Sequence, residues 1–253
     1  MRQDDRFSLI LQQLAETGSV SIADRAPRLG VSKASVRRDL ELLEERHLLT
    51  RSHGGATATG VLLDLPLRYG AGLHRAVKRR IAAAAIERVH GDVNVVGFTG
   101  GTTTTEVARA LADRAGLTVV TNALNIASEL ALRRNLKLFV TGGIARAESY
   151  ELIGPVAEAS LGGFNLDVVF VGVNGISARG GVTTHEEDDA RTVAALIGHA
   201  QTVIVVTERA KLGKVTFARI CDIDRVDELV TDGESDETEL AAIAAAGVHI
   251  TLV

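Results

Sequence analysis

The chain has 253 residues, 46% of them apolar and 24% charged, with no Trp, two Tyr, one Cys and a net charge of −4. That composition suits a globular protein of one or two domains with a core of Ala, Val, Leu and Ile. It argues against a single-strand nucleic-acid binder, which needs aromatic platforms, and against a disulfide-stapled or membrane-spanning chain, because a single Cys has no internal partner and no uncharged apolar run approaches ~20 residues.

The start, Met1 to Phe7, runs straight into a polar helix pattern, so no signal peptide is read there and a cytoplasmic location is expected. From Arg6 to Glu16, Phe7, Ile10, Leu11 and Leu14 recur at helical spacing, and Gly18 ends the run. Ser21 can cap a second helix with Ile22, Ala26 and Leu29 as its inner face and Gly30 as its stop. Pro27 lies about six positions in, where it removes a backbone hydrogen bond at ~3 kcal/mol, so a kink or a short, late-starting helix is expected.

Gly30-Val31 is the tight turn into a third helix, capped by Ser32, that runs through Leu40. Val36, Leu40 and Leu43 make its apolar stripe; Lys33, Ser35, Arg37 and Arg38 occupy the early turns and much of the opposite side. Two short helices joined by a small turn, the second carrying cations, is the helix-turn-helix arrangement of double-stranded DNA binders. Thr50 to Ala56 then reads as a short strand and a Gly-rich turn, a wing offering Arg51 and His53 to phosphates. Residues 1–57 hold nine cations against eight anions, the remainder nineteen against twenty-four. Attraction for DNA must therefore come from the local set Ser32, Lys33, Ser35, Arg37, Arg38, Arg51 and His53.

Residues 58–75, with Gly60, Pro66, Gly70 and Gly72, read as a linker. A helix from about Ala76 to Val89 opens the second domain, 76–253. Apolar runs at Val93–Phe98, Leu117–Thr121, Leu136–Val140, Val168–Val173, Thr202–Val206, Val226–Val230 and His249–Val253 predict strands. Helical patterns at Thr103–Ala115, Leu124–Arg134, Asp188–Ala200 and Glu237–Ala246 separate most of them. The expected fold is α/β, a parallel sheet covered on both faces, behind a winged helix-turn-helix domain.

In such folds ligands lie at the C-terminal strand ends. The first strand here runs into Gly97-Phe-Thr-Gly-Gly-Thr-Thr-Thr-Thr105 and a helix, where Gly100 and Gly101 let a phosphate approach and Thr102, Thr103 and Thr104 add donors at the helix N-terminus. This is neither Gly-x-Gly-x-x-Gly nor a P-loop, which speaks against an NAD site or an NTPase. Asn122, Gly142, Gly143, Asn174 and Lys211 stand at other strand ends and complete the candidate ligand set. His74, His90, His185, His199 and His249 lack metal-ligand spacing, so no metal or cofactor is assigned.

Val31-Ser-Lys-Ala-Ser-Val-Arg-Arg-Asp-Leu40 followed by Arg51-Ser-His-Gly-Gly-Ala56 resembles the DeoR family of bacterial transcriptional regulators. Thr121-Asn122, Thr141-Gly-Gly143, Gly172-Val-Asn-Gly175 and Lys211-Leu-Gly-Lys214 are similar to that family's sensor domain, which is akin in fold to ribose-5-phosphate isomerase. The resemblance implies a repressor of carbohydrate genes, binding an operator as a homo-oligomer under control of a phosphorylated sugar or related metabolite. Many members carry Asp at position 99, Asp at 174, Glu at 189 and Lys at 193, where this chain has Thr99, Asn174, Asp189 and Val193. Either the effector is atypical or the pocket is weakened. The competing reading is a sugar-phosphate isomerase with an added DNA-binding domain, which would need a carboxylate base; Glu186, Glu187, Asp188 and Asp189 are its candidates, although such a run more often favours a helix dipole.

Overall fold

The computed structural model describes residues 3–45, 48–57, 74–233 and 237–253, which form two compact units, 1–75 and 76–253. The expected linker, 58–75, lies outside the described residues except for 74–75.

The first unit is a winged helix. Helix α1 (Gln3–Thr17), strand β1 (Ser19–Ser21), helices α2 (Ile22–Leu29) and α3 (Lys33–Glu45), and strands β2 (Thr50–Ser52) and β3 (Gly55–Thr57) follow in order. The apolar spacing seen in the sequence builds its core: Phe7, Ile10, Leu11 and Leu14 meet Ile22, Ala26, Leu29, Val36, Leu40 and Leu43. The anticipated single strand near Thr50 is an antiparallel hairpin, and β1 adds to it to give the order β1-β3-β2.

Helix α2 corrects the expectation of a late start. It begins at Ile22 directly after Ser21, whose hydroxyl accepts the Asp24 N–H, and spans Pro27. In eight residues the proline removes one bond, that to the carbonyl of Ala23, and both residues are exposed, so water can serve that carbonyl.

The second unit has helix α4 (Arg75–Ile86), strand β4 (Val95–Phe98), helix α5 (Thr102–Leu111), strand β5 (Thr118–Thr121), helix α6 (Leu124–Leu130) and strand β6 (Lys137–Val140). A two-residue hairpin, β7 (Ile144–Ala145) and β8 (Leu152–Ile153), leads to helix α7 (Pro155–Leu161) and strand β9 (Leu166–Val171). Strands β10 (Gly175–Ser177) and β11 (Gly181–Thr184) precede helix α8 (Glu187–Gly198) and strand β12 (Ala200–Val206). Strands β13 (Ala218–Cys221) and β14 (Glu228–Thr231), helix α9 (Glu237–Ala245) and strand β15 (His249–Leu252) complete it.

All seven strands anticipated from the sequence lie in one parallel sheet, ordered β15-β14-β12-β9-β4-β5-β6. Helices α4, α5 and α6 cover one face through Ile81, Val107 and Ile126, packed on Phe98, Val119 and Phe170. Helices α8 and α9 cover the other through Val193, Leu196 and Ile243, packed on Val120, Val169 and Val205. Some boundaries differ from the expected ones. The helix predicted to reach Ala115 stops at Leu111, because Asn135 Nδ2 takes the carbonyls of Ala112 and Arg114 at 3.0 Å each. The helix predicted to reach Arg134 stops at Leu130, and the strand predicted to reach Val173 gives way at Gly172.

The chain lays down β4, β5 and β6 in one direction, then returns to place β9 on the other side of β4. The crevice outside β4 and β9 is therefore the topological switch point, where ligands bind in open α/β sheets.

Candidate functional site

The first unit presents α3. Val36, Asp39, Leu40 and Leu43 are buried, which turns Lys33, Arg37 and Arg38 outward; all three are exposed and make no ion pair among the described residues. Ser32 Oγ accepts the Ser35 N–H at 3.1 Å and lies 2.9 Å from Ser35 Oγ, so these two hydroxyls fix the helix start. In the wing, His53 is exposed at the turn. Arg51 is engaged: Nη1 lies 3.4 Å from Glu41 and 3.9 Å from Glu44, and its N–H donates to Glu44 at 2.8 Å. Exposed pairs of this kind are worth about 0–1 kcal/mol, so a phosphate can displace them.

Asp39 was passed over in the sequence reading. It is 1% exposed and receives a two-pronged contact from Arg6, at 2.6 and 2.9 Å, plus Gln3 Nε2 at 3.3 Å. The signal was available, because position 39 falls on the apolar stripe between Val36 and Leu43. Asp39 ties α1 to the helix that carries Arg37 and Arg38.

In the second unit the turn between β4 and α5 lies at the switch point. Gly101 has φ 121°, a backbone state that side-chain-bearing residues avoid. Its carbonyl accepts the Thr104 hydroxyl at 2.9 Å and the Thr105 hydroxyl at 2.6 Å, so Thr104 braces the turn from inside. Helix geometry leaves the first N–H groups of α5, around Thr102 and Thr103, without intrahelical acceptors. Across the crevice the Gly172 N–H donates to Thr99 Oγ1 at 2.9 Å, and a side chain on Gly172 would meet the Gly100 carbonyl at 2.6 Å.

Gly100 is occupied on its other side. Its N–H donates to Glu151 Oε1 at 2.8 Å, and a Cβ on Gly100 would strike that carboxyl at 2.4 Å. Glu151 is held from β5: residue 123 bridges to it, Leu124 N–H bonds Tyr150 O at 2.8 Å, and Leu152 N–H bonds Asn122 O at 2.7 Å. Burial and the neighbouring Asp189 push the Glu151 carboxyl up to about 8, against the Gly100 N–H, Ser149 and Arg146. Thr184 Oγ1 lies 2.7 Å from Asp189 Oδ2 and 2.9 Å from Asn174 Oδ1. These contacts bring Gly100, Asn122 and Asn174 together around Glu151 and Asp189. Sequence reading had missed Glu151, which lies in a segment too short and irregular to show periodicity.

The remaining candidates divide. Leu212 bridges to Ile176, which sets Lys211 beside the strand that follows Asn174. Gly142 and Gly143 lie close against other segments: a Cβ there would strike Val156 at 2.9 Å and the Ile153 carbonyl at 2.7 Å. Val193 is 2% exposed in the core. Of the acidic run, Glu187 and Asp188 pair with Arg191 at the surface, and Asp189 alone is buried.

Lys78, on α4, is the other residue overlooked. It is 3% exposed, with Nζ 3.3 Å from Glu208 just beyond β12. Burial lowers its pKa and Glu208 opposes that. A lysine inside the apolar face of a helix, between Val77 and Ile81, was the available signal. Among the described residues no group of His, Cys, Asp and Glu could hold a metal ion, and no helix is long and apolar enough to cross a membrane.

Residues 6–60 match the model of the DeoR-like helix-turn-helix domain, and residues 73–233 that of the DeoR C terminal sensor domain. The chain is 33% identical to a putative aga operon transcriptional repressor of Escherichia coli O157:H7, over 98% of this chain and 93% of that one. It is 34% identical to the HTH-type transcriptional regulator GlpR of Haloferax volcanii, over 97% and 96%. It is 29% identical to the glycerol-3-phosphate regulon repressor of Escherichia coli K12, over 92% of each. Among solved structures, ribose 5-phosphate isomerase A of Methanocaldococcus jannaschii aligns with TM-score 0.40 and 15% identity, over 54% of each chain.

Proposed function

Because the chain belongs to the DeoR family of transcriptional regulators, we propose that it represses carbohydrate genes by binding an operator through Lys33, Ser35, Arg37 and Arg38, with Arg51 and His53 of the wing on flanking phosphates. The observation that carries this reading is the outward set Lys33, Arg37 and Arg38, without an ion pair among the described residues, on a capped helix whose other face is locked into the core. Two-fold operators and the small size of one winged helix favour a homo-oligomer. The long match to regulators and repressors, together with the surface pairing of Glu187 and Asp188, supports this over an isomerase.

The effector is a phosphorylated sugar or a related metabolite. Its phosphate is taken by the free N–H groups at Gly101 to Thr103, with Lys211 supplying charge from the neighbouring strand end. A glycerol-3-phosphate regulon repressor among the relatives supports a phosphate ester as ligand. Coupling of about 1–3 kcal/mol between the two sites would change operator affinity roughly 5- to 150-fold.

Replacing Arg37 and Arg38 together by Ala tests the operator contact in a gel shift. Loss of the promoter complex with an unchanged thermal melt is expected; an undiminished complex would end the reading.

A further inference from the structure

The C-terminal edge of the parallel sheet is electrically two-sided. On the face covered by α4, α5 and α6, Lys78 is buried beside Glu208; Lys211 follows three residues after Glu208, next to Leu212, which packs on the other face. On the other face, strand alternation places Asn122 two residues beyond Val120 and Thr141 two beyond Phe139. The charge there is acidic. Glu151 and Asp189 are 7% and 6% exposed. Arg146 is the cation that bears on Glu151, and it is shared with Glu148 at 3.8 Å and Glu186 at 3.6 Å.

Acceptors are in surplus on this side. Asn122 is fully buried; its Nδ2 donates to the carbonyl of Leu152, the residue after Glu151, while its Oδ1 has no hydrogen-bond partner among the described residues. Two neighbouring carboxyls out of water need a positive charge between them, from a proton or from a cationic group. Glu151 faces Asp189 from α8, the Gly100 N–H from the turn before α5, and Ser149 and Arg146 from its own segment. Burial and Asp189 push the Glu151 carboxyl up to about 8, which favours its protonated form at neutral pH.

We propose that Glu151 and Asp189 are the end of the ligand site that receives an ammonium group, so that the ligand is an amino-sugar phosphate, its phosphate at the Gly101–Thr103 turn and Lys211. This rests on the phosphorylated-sugar reading above. On binding, the carboxyl proton leaves to solvent and the ammonium takes its place; no covalent bond to the ligand forms or breaks. Asn122 Oδ1 gains a donor. A neutral sugar phosphate of the same size offers a hydroxyl instead, leaves the proton where it is and binds more weakly.

The test is isothermal titration of the full chain at pH 7 with glucosamine 6-phosphate, galactosamine 6-phosphate, glucose 6-phosphate and galactose 6-phosphate. Two buffers of different ionisation enthalpy count the protons. At least one amino sugar should bind about tenfold more tightly than its neutral counterpart and release protons that the counterpart does not. Glu151→Gln and, as an independent variant, Asp189→Asn should each erase the preference for the amino sugar and the proton release. Equal binding of amino and neutral sugars, or a preference surviving both variants in folded protein, overturns the inference alone. Binding of none of the four overturns it together with the phosphorylated-sugar reading.

Discussion

Each unit buries a carboxylate beside its functional surface, and the two are satisfied differently. Asp39 lies against the Arg6 guanidinium with two short contacts, whereas Glu151 lies against the Gly100 N–H and a second carboxyl, with Ser149 and a shared Arg146 beside it. In the first unit the charge is balanced within the fold, so it fixes α1 on α3 while Arg37 and Arg38 of that helix stay exposed. In the second, burial and Asp189 outweigh the Gly100 N–H, Ser149 and Arg146 and raise the carboxyl to about 8, the imbalance that the proposed ammonium group would relieve. The same residue chemistry thus fixes architecture where its counter-charge is built in and marks a candidate site where that counter-charge is outweighed.

Breaking the Arg6–Asp39 pair should have the largest effect. Arg6→Ala leaves an uncompensated buried charge and should cost about 3–5 kcal/mol, read as an early transition in urea unfolding. Adding Asp39→Asn to that variant should recover part of the loss; if it deepens it, the charge was not the cause. Glu151 should show itself through pH. Its carboxyl is raised from 4.5 to about 8, so between those values the folded chain holds a proton that the unfolded chain has lost, and stability falls as pH rises through that window. The contribution has a slope of up to about 1.4 kcal/mol per pH unit, and Glu151→Gln should flatten it in melts from pH 5 to 8. An unchanged slope would equate Glu151 with an ordinary structural acid. The smallest effect belongs to Arg51→Ala. Its pairs with Glu41 and Glu44 are exposed, so folding stability should move by no more than about 0.5 kcal/mol, while operator binding weakens and its salt dependence shallows.

The long parallel strands and their helices were legible because each carries its own period: Val95–Phe98 and Val203–Val206 are uninterrupted apolar runs, and Ile81, Ala82 and Ala85 fall on one helix face. The recognition helix was legible for the same reason, with Ser32 marking its start. What stayed hidden has no period to read. Strands β7 and β8 are two residues each, β10 is three, and their pairing depends on a distant partner, as β11 depends on β13. Glu151 joins the candidate site through such a segment, 51 residues from the Gly100 it contacts. The glycine pair at 142–143 lies close to α7 and β8, a contact that no local pattern in the sequence announces.

Lys78 occupies the first turn of α4, the first described helix after the connection between the units. Its ammonium is anchored at the far end of β12 by Glu208, and pulling it away would strand a charge in the core. The beginning of the helix is therefore leashed to the strand end where Lys211 stands. Losing that anchor would release the first turn of α4 from the end of β12.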